Sequence, residues 1–432
     1  MKYPNILYIH SHDTGRFIQP YGYSADTPSM QKLAEEGVLF RQAFCGGPTC
    51  SPSRAVLLTG ECAHSSGMTG LAHRGFSLND YSHHMIHTLR GKGYFSALIG
   101  VQHIARDPSV IGYDFIADIK QRNVRHVVPA VKQFLSDVPA KPFFLSVGFS
   151  ETHRKFPECS DKQDPRYVLP APTVPDTPET RRDMAMFRTS AQIYDSGVGE
   201  VLRCLEEQGL SDETLIINTT DHGIAFPGMK CTLSDYGIGI MLIMRGPGGF
   251  TGGKVVDSLV SHIDLFPTLC DYLDIEPPEW LQGVSLMPLV RGEQESVRDE
   301  VFAEVSYHAA YEPKRCVRTD RWKYIKRFDG RTRAVLPNCD DSMSKDVWLR
   351  HGWAERPVQE EILYDLVFDP HETCNCANDP SCGDVLENMR FLLNDWMERT
   401  GDPLIEGKVA APEGARVNDP DGLSPKDPVK EA

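Results

Sequence analysis

The stretch Cys50-Ser51-Pro52-Ser53-Arg54-Ala55-Val56-Leu57-Leu58-Thr59-Gly60, preceded by the loop Cys45-Gly46-Gly47-Pro48-Thr49, is the most informative part of the sequence. Pro52 suits the start of a helix and Gly60 its C-terminal stop. Cys50 therefore falls at a helix N-terminus, where unpaired N–H groups and the helix dipole favour negative charge. Arg54 lies four residues on, on the same helical face, so its guanidinium is expected to reach both the residue-50 side chain and a bound oxyanion. Taken alone, a cysteine in such a turn is more often an inert buried thiol. Its surroundings decide between the two readings.

Outward from this stretch, apolar runs at 5–10, 38–44, 94–100, 142–149, 214–220 and 239–245 read as strands. They alternate with helix-period segments at 28–36, 83–91, 123–137, 179–208 and 263–273. That is the pattern of an α/β domain built on a largely parallel sheet. The first helix opens on Thr27-Pro28 and closes at Gly37, a cap and a stop. From about residue 299 short strands follow one another, at 301–306, 315–319, 322–327 and 362–368, before a helix at 384–399. The expected organisation is an α/β domain over 1–298, an antiparallel α+β subdomain over 299–401, and an extended tail over 402–432. The tail, rich in Pro, Gly, Asp and Lys, has too little apolar content to fold alone. It is expected to be either disordered or packed on a partner subunit, the latter implying a homo-oligomer.

Composition excludes several functions. With 432 residues, 41% of them apolar, the chain can bury a large core and a smaller one. Sixty acidic against 45 basic residues give a net charge of −15, the wrong sign for coating nucleic acid or an anionic membrane, so an anionic substrate must meet a local cationic site. No stretch reaches the roughly 18 apolar residues of a membrane span. The opening Met1-Lys2-Tyr3-Pro4 runs into the short apolar segment Asn5-Ile6-Leu7-Tyr8-Ile9, unlike a signal peptide, which predicts a cytoplasmic or already processed protein. Twelve scattered cysteines fit a reducing compartment.

The 50–60 stretch resembles the signature of the type I sulfatases, Cys-x-Pro-Ser-Arg followed by x-x-x-Leu-Thr-Gly, at every fixed position, and the resemblance extends over roughly residues 4–400. It implies an alkaline-phosphatase-like α/β fold: a mixed, mainly parallel sheet flanked by helices, with a smaller C-terminal subdomain. It also implies that a formylglycine-generating enzyme oxidises Cys50 to formylglycine during maturation. The hydrate of that aldehyde would attack sulfur with one hydroxyl and expel sulfate with the other.

The resemblance further implies a divalent metal, calcium first and manganese or magnesium as alternatives. Where the family usually has two adjacent aspartates at the end of the first strand, this chain has His12-Asp13. Asp13 is expected to be a ligand. His12 is a softer donor that raises a metal other than calcium, or stands beside the metal as a polar cap. Asp221-His222-Gly223, after the strand at 214–220, matches the family's second pair of ligands, and residue 50 completes the set.

Three further residues match catalytic helpers of the family. His103, in Gly100-Val101-Gln102-His103, and His153, in Glu151-Thr152-His153, follow strands; Lys230, in Phe226-Pro227-Gly228-Met229-Lys230-Cys231-Thr232, matches a lysine that contacts sulfate and the leaving oxygen. The resemblance implies His153 as leaving-group acid and His103 as the base that regenerates the aldehyde, an assignment that can be exchanged. Val101 stands where the family commonly has a second lysine, leaving Gln102, Arg16 or Arg74 to replace that charge. His262 and Asp264 read as caps or core partners, His83, His84 and His87 as a solvated face. Cys374, Cys376 and Cys382 lack a fourth ligand at zinc spacing.

The sequence therefore reads as a sulfatase acting on a sulfate monoester. The runs 11–16 and 230–235 look most like the branch that includes the sulfamidases, which makes a sulfated sugar or a sulfamate the expected substrate. A formylglycine-dependent phosphonate monoester or phosphodiester hydrolase is the alternative, and an inactive relative serving as a binding protein a third reading.

Overall fold

The computed structural model describes residues 3–138 and 142–432. The main sheet has eight strands: β1 (Asn5–His10), β2 (Val38–Phe44), β3 (Phe95–Gly100), β4 (Phe115–Ile116), β5 (Phe143–Gly148), β6 (Thr214–Thr219), β7 (Leu242–Arg245) and β8 (Lys254–Ser261). Their order is β4-β3-β5-β1-β6-β7-β2-β8. All neighbours are parallel except β7, which runs antiparallel to both β6 and β2. The C-terminal ends of β1, β2, β3, β5, β6 and β8 therefore open on one edge, where an α/β sheet builds its site.

Strand β1 shows why these runs read as continuously apolar. Ile6 and Tyr8 enter one core, Leu7 and Ile9 the other, so both faces are covered. The helices Pro28–Glu36, Val124–Ser136 and Pro178–Glu207 pack on one side. Cys50–Thr59, Met85–Gly91 and Leu265–Tyr272 pack on the other. Thr27 does precede the first helix, but its hydroxyl accepts from the Gln19 N–H. The free N–H groups of Ser29 and Met30 go instead to the carboxylate of Asp195 on the long helix, at 3.1 and 2.8 Å.

A second, antiparallel sheet is formed by β9 (Glu300–Tyr307), β10 (Tyr311–Thr319), β11 (Trp322–Arg327) and β12 (Glu361–Asp365), in the order β12-β11-β10-β9. The helix Gly383–Thr400 lays Leu386, Met389, Leu393 and Trp396 on it, in one cluster with Val317, Tyr324, Leu363 and Val56. Val56 belongs to the helix Cys50–Thr59, so the small sheet braces the back of the helix that begins at Cys50.

Several expectations are corrected. The strand expected at 239–245 starts at Leu242 and is antiparallel. Strand β8 was not expected: its first half is largely exposed, so its run lacks the unbroken apolar character of the buried strands. The short helix Met343–Arg350, capped by Ser342, was likewise not expected. His84 is buried and accepts from the Ile86 N–H, while His83 bonds Glu61 at 2.8 Å and stacks on Trp280; these rings line a helix start and are not a solvated face. Residues 402–432 are neither disordered nor extended away from the body. The Asn418 N–H bonds the Ala309 carbonyl, Ala415 is buried, and Arg74 donates to Asn418 Oδ1 at 2.8 Å. Backbone and side-chain hydrogen bonds to the chain's own body replace the missing apolar content. Among the described residues, no helix is long and apolar enough to cross a membrane.

One buried ionic network joins the two sheets' surroundings. Arg315 on β10 donates to both oxygens of Asp402, at 2.5 and 3.0 Å, and lies 3.3 Å from Glu304 Oε2 on β9. The other oxygen of Glu304 takes His64 Nδ1 at 2.9 Å and the His64 N–H at 3.1 Å. Burial works against the Glu304 carboxylate, but His64 and Arg315 outweigh it and hold its pKa at about 2. Removing one partner of such a network strands a buried charge. Arg315→Ala is therefore expected to lower unfolding free energy by about 3–5 kcal/mol, measured by urea denaturation. A loss below about 1 kcal/mol would contradict this role.

Candidate active site

Cys50 is the first residue of a ten-residue helix buried along its whole length. Thr49 supplies no side-chain cap and its hydroxyl has no partner, so the first-turn N–H groups stay available to an anion. The rest of the motif fastens this helix. Ser51 Oγ accepts from the Ala72 N–H at 3.0 Å, and Ser53 Oγ donates to the Asp221 carbonyl. His262, placed by the end of β8, bonds Thr219 Oγ1 at 3.0 Å and lies 3.4 Å from Ser53 Oγ; burial pulls its pKa down to about 3, and it is a neutral core partner.

Arg54 is where expectation and structure part. Its guanidinium turns beneath the site, donating to the Ser11 carbonyl at 2.8 Å and Asp221 Oδ2 at 2.9 Å and meeting His10 Nδ1 at 2.6 Å. It is bonded neither to Cys50 nor toward the mouth of the site. It fixes the carboxylate opposite Cys50.

Around Cys50 Sγ the strand ends converge. His222 Nε2 lies 3.4 Å from the sulfur, 3.4 Å from Asp13 Oδ1 and 3.7 Å from Asp221 Oδ2. His12 Nδ1 lies 3.0 Å from Asp221 Oδ2 and 3.5 Å from Asp13 Oδ1. Ligand atoms of His12, Asp13, Cys50 and Asp221 all fall within 4.8 Å of one another, and all four residues are buried. Two carboxylates, imidazole nitrogens and the residue-50 side chain are a donor set that fits a divalent cation. Asp13 adopts a left-handed backbone, φ 52°. A Cβ at Gly223 would sit 1.9 Å from the Tyr236 carbonyl oxygen, so the turn after His222 requires glycine.

The helper residues stand around this cluster. Lys230 Nζ is 2.9 Å from Asp13 Oδ2 and 3.0 Å from Asp340 Oδ2. His153 Nδ1 lies 2.5 Å from the Arg154 carbonyl, with Nε2 3.9 Å from Asp13 Oδ2. His103 Nε2 meets His73 Nδ1 at 2.9 Å, while its buried Nδ1 has no partner. Both the His103 and His153 rings lie beside His12, at centroid distances of 5.4 and 5.1 Å. Val101 is buried, and none of its suggested substitutes brings a charge here. Gln102 bonds the backbone of residues 104 and 105, Arg16 the Ala43 carbonyl, and Arg74 the C-terminal segment.

Asp340, His73, His308 and His10 were not found from sequence. His308, buried with an unpartnered Nδ1, bears electrostatically on Asp340 and His73. Asp340 and His308 sit on loops and His73 in a short helical turn, distant in sequence and in no contiguous pattern, so only the folded chain assembles them; His10 ends strand β1, two residues before His12, and reads as part of that strand.

Opposite charges govern ionisation at every group of the cluster, because burial opposes each charge and is outweighed. Asp221 raises His12 and lifts His222 to about 9; Asp13 raises Lys230, which in turn lowers Asp13; His222 lowers Asp221. The Cys50 thiol, despite its burial, is held well below its usual value by Lys230 and His222. At the rim, burial prevails: it lowers His103, and His73 to about 4. The site thus sets Lys230, His222 and His12 as cations against the buried carboxylates around residue 50.

Comparison with known proteins agrees with this geometry. The Sulfatase family profile matches residues 4–275, and the profile described as N-sulphoglucosamine sulphohydrolase, C-terminal, matches residues 230–337. N-sulphoglucosamine sulphohydrolase of Homo sapiens is 31% identical, over 95% of this chain and 92% of the relative. Among solved structures, a putative sulfatase from Bacteroides thetaiotaomicron superposes with a TM-score of 0.76 at 22% identity, covering 99% of this chain and 100% of that one. A protein solved in complex with its substrate D-glucosamine-2-N,6-O-disulfate superposes with a TM-score of 0.73 at 18% identity, covering 97% and 99%.

Proposed function

Since the chain belongs to the sulfatase family of sulfuric ester hydrolases, we propose that the bond it cleaves is the related S–N bond of an N-sulfated amino sugar. The observation that carries this reading is the carboxylate of Asp340, 3.0 Å from Lys230 Nζ and outside the cation cluster. A sulfamate nitrogen has to be protonated to leave as a neutral amine, and a carboxylate near it would stabilise the positive charge that nitrogen carries until the S–N bond breaks, a charge that the far less basic oxygen of an ester hardly develops. The match of residues 230–337 and the human relative's name support the same substrate class.

Cys50, His103, His153 and Lys230 are assigned to catalysis, Arg54 to positioning, and His12, Asp13, Cys50, Asp221 and His222 to the cation. Residue 50 as formylglycine would supply the nucleophilic hydroxyl, and a divalent cation the positive charge that favours its ionised form. Lys230 Nζ neutralises a sulfate oxygen, with Asp340 and Asp13 fixing its position. Arg54 keeps Asp221 ionised and oriented from below. His153 has Nδ1 committed to the Arg154 carbonyl, which leaves Nε2 to protonate the leaving atom. His103, kept neutral by burial, has Nδ1 free to take a proton from residue 50.

Steady-state assays on N-sulfoglucosamine, glucosamine 6-sulfate and an aryl phosphonate monoester test the proposal. The highest kcat/KM is expected on the N-sulfated sugar; a preference for the O-sulfated sugar would overturn the substrate, and a preference for the phosphonate the reaction class. Asp340→Asn is expected to cost about ten-fold or more in kcat/KM on the N-sulfated sugar and far less on nitrophenyl sulfate. His153→Ala is expected to slow sugar substrates by about 100-fold, with little effect on nitrophenyl sulfate, whose leaving group needs no proton. Equal losses on both substrates would remove His153 from the acid role.

A further inference from the structure

The two carboxylates of the cation cluster each present a single oxygen to it. Asp13 has Oδ1 facing His12 and His222, while Oδ2 is held by Lys230 Nζ at 2.9 Å. Asp221 has Oδ2 facing the two histidines, while Oδ1 accepts the N–H groups of Asp13 at 2.8 Å and His222 at 3.0 Å. Neither can chelate through both oxygens without breaking these bonds. Calcium favours six to eight oxygen ligands, carboxylates often bidentate. The cluster offers two carboxylate oxygens.

The other donors are nitrogens. His222 Nδ1 lies 3.0 Å from the Gly223 carbonyl, which can only accept, so this nitrogen keeps its proton, and Nε2 is the one that sheds its own when a cation binds and turns its lone pair on the cluster. A backbone carbonyl that fixes the tautomer from behind is how a metal-binding imidazole is oriented. His12 supplies Nδ1. The four measured separations between imidazole nitrogens and carboxylate oxygens are 3.0, 3.5, 3.4 and 3.7 Å. Four ligands around one ion at zinc-like bond lengths would be roughly 3.4 Å apart.

We propose that the cluster of His12, Asp13, Asp221 and His222 selects a borderline transition ion, of the manganese-to-zinc class, over calcium. This rests on the reading that the family's divalent cation sits here. Imidazole binds such ions well and calcium poorly, and one-oxygen carboxylates remove the compensation calcium would need.

The test reads binding and not turnover. Full-length Cys50→Ala protein is used, because an unconverted thiolate would itself favour zinc. After chelation and dialysis it is equilibrated with Ca2+, Mn2+ or Zn2+ alone, and bound metal is counted by elemental analysis. Mn2+ and Zn2+ are expected to bind at one ion per chain, about ten-fold or more tighter than Ca2+. His12→Asp in the same background is expected to narrow or reverse that ratio, which binding at surface cysteines or histidines would not do. If His12→Asp fails to fold by circular dichroism, His222→Asn serves instead. Cobalt absorption gives a second readout, with the stronger bands of nitrogen-ligated, low-coordinate Co2+ expected. Calcium binding as tight as manganese, or a ratio unchanged by the histidine variant, overturns the proposal. Sulfate release by the unmutated enzyme is assayed separately, so an active enzyme that prefers calcium would refute the metal assignment and leave the substrate reading standing.

Discussion

The contact on which the site depends is the buried pair of Arg54 and Asp221. One guanidinium joins the ends of two parallel strands, bonding His10 at the end of β1, Ser11 just after it and Asp221 after β6, from within the helix that begins at Cys50. Burying two charges is costly unless their remaining hydrogen bonds are met. Here Asp221 is met by Arg54, two backbone N–H groups and two histidines, and Ser53 takes its carbonyl. The result is a fixed distance between residue 50 and the cation cluster. The arginine of the motif thereby acts as a strut.

Everything outside that contact holds it still. The main sheet presents its strand ends in register, since β5 and β6 pair with β1 residue for residue up to His10. The small sheet and its helix press on Val56 from behind, and the C-terminal segment occupies Arg74. A helix N-terminus open to an anion is useful only if its surroundings cannot shift to fill it. Close packing on three sides supplies that rigidity.

The doubly covered strands were readable in the sequence because burial on both faces leaves an unbroken apolar run, as in Ile6-Leu7-Tyr8-Ile9. Half-exposed β8 carries no such signature. The same contrast holds in the site. Cys50, Asp13, Asp221, His222 and Lys230 lie in short contiguous motifs at strand and helix ends, and the fold brings all of them together. Asp340, His308 and His73 come from separate segments whose placement depends on tertiary packing, with no local pattern to announce them. The direction of Arg54 is hidden in the sequence for a related reason: spacing on a helix says which residues share a face, not what that face meets.

On the proposed function, the charged site around Cys50 serves an oxidised residue at that position. The most direct measurement is a peptide mass spectrum of the 45–60 segment from active protein. An aldehyde in place of the thiol is expected, in a fraction that rises with specific activity. An unmodified Cys50 in fully active protein would contradict it.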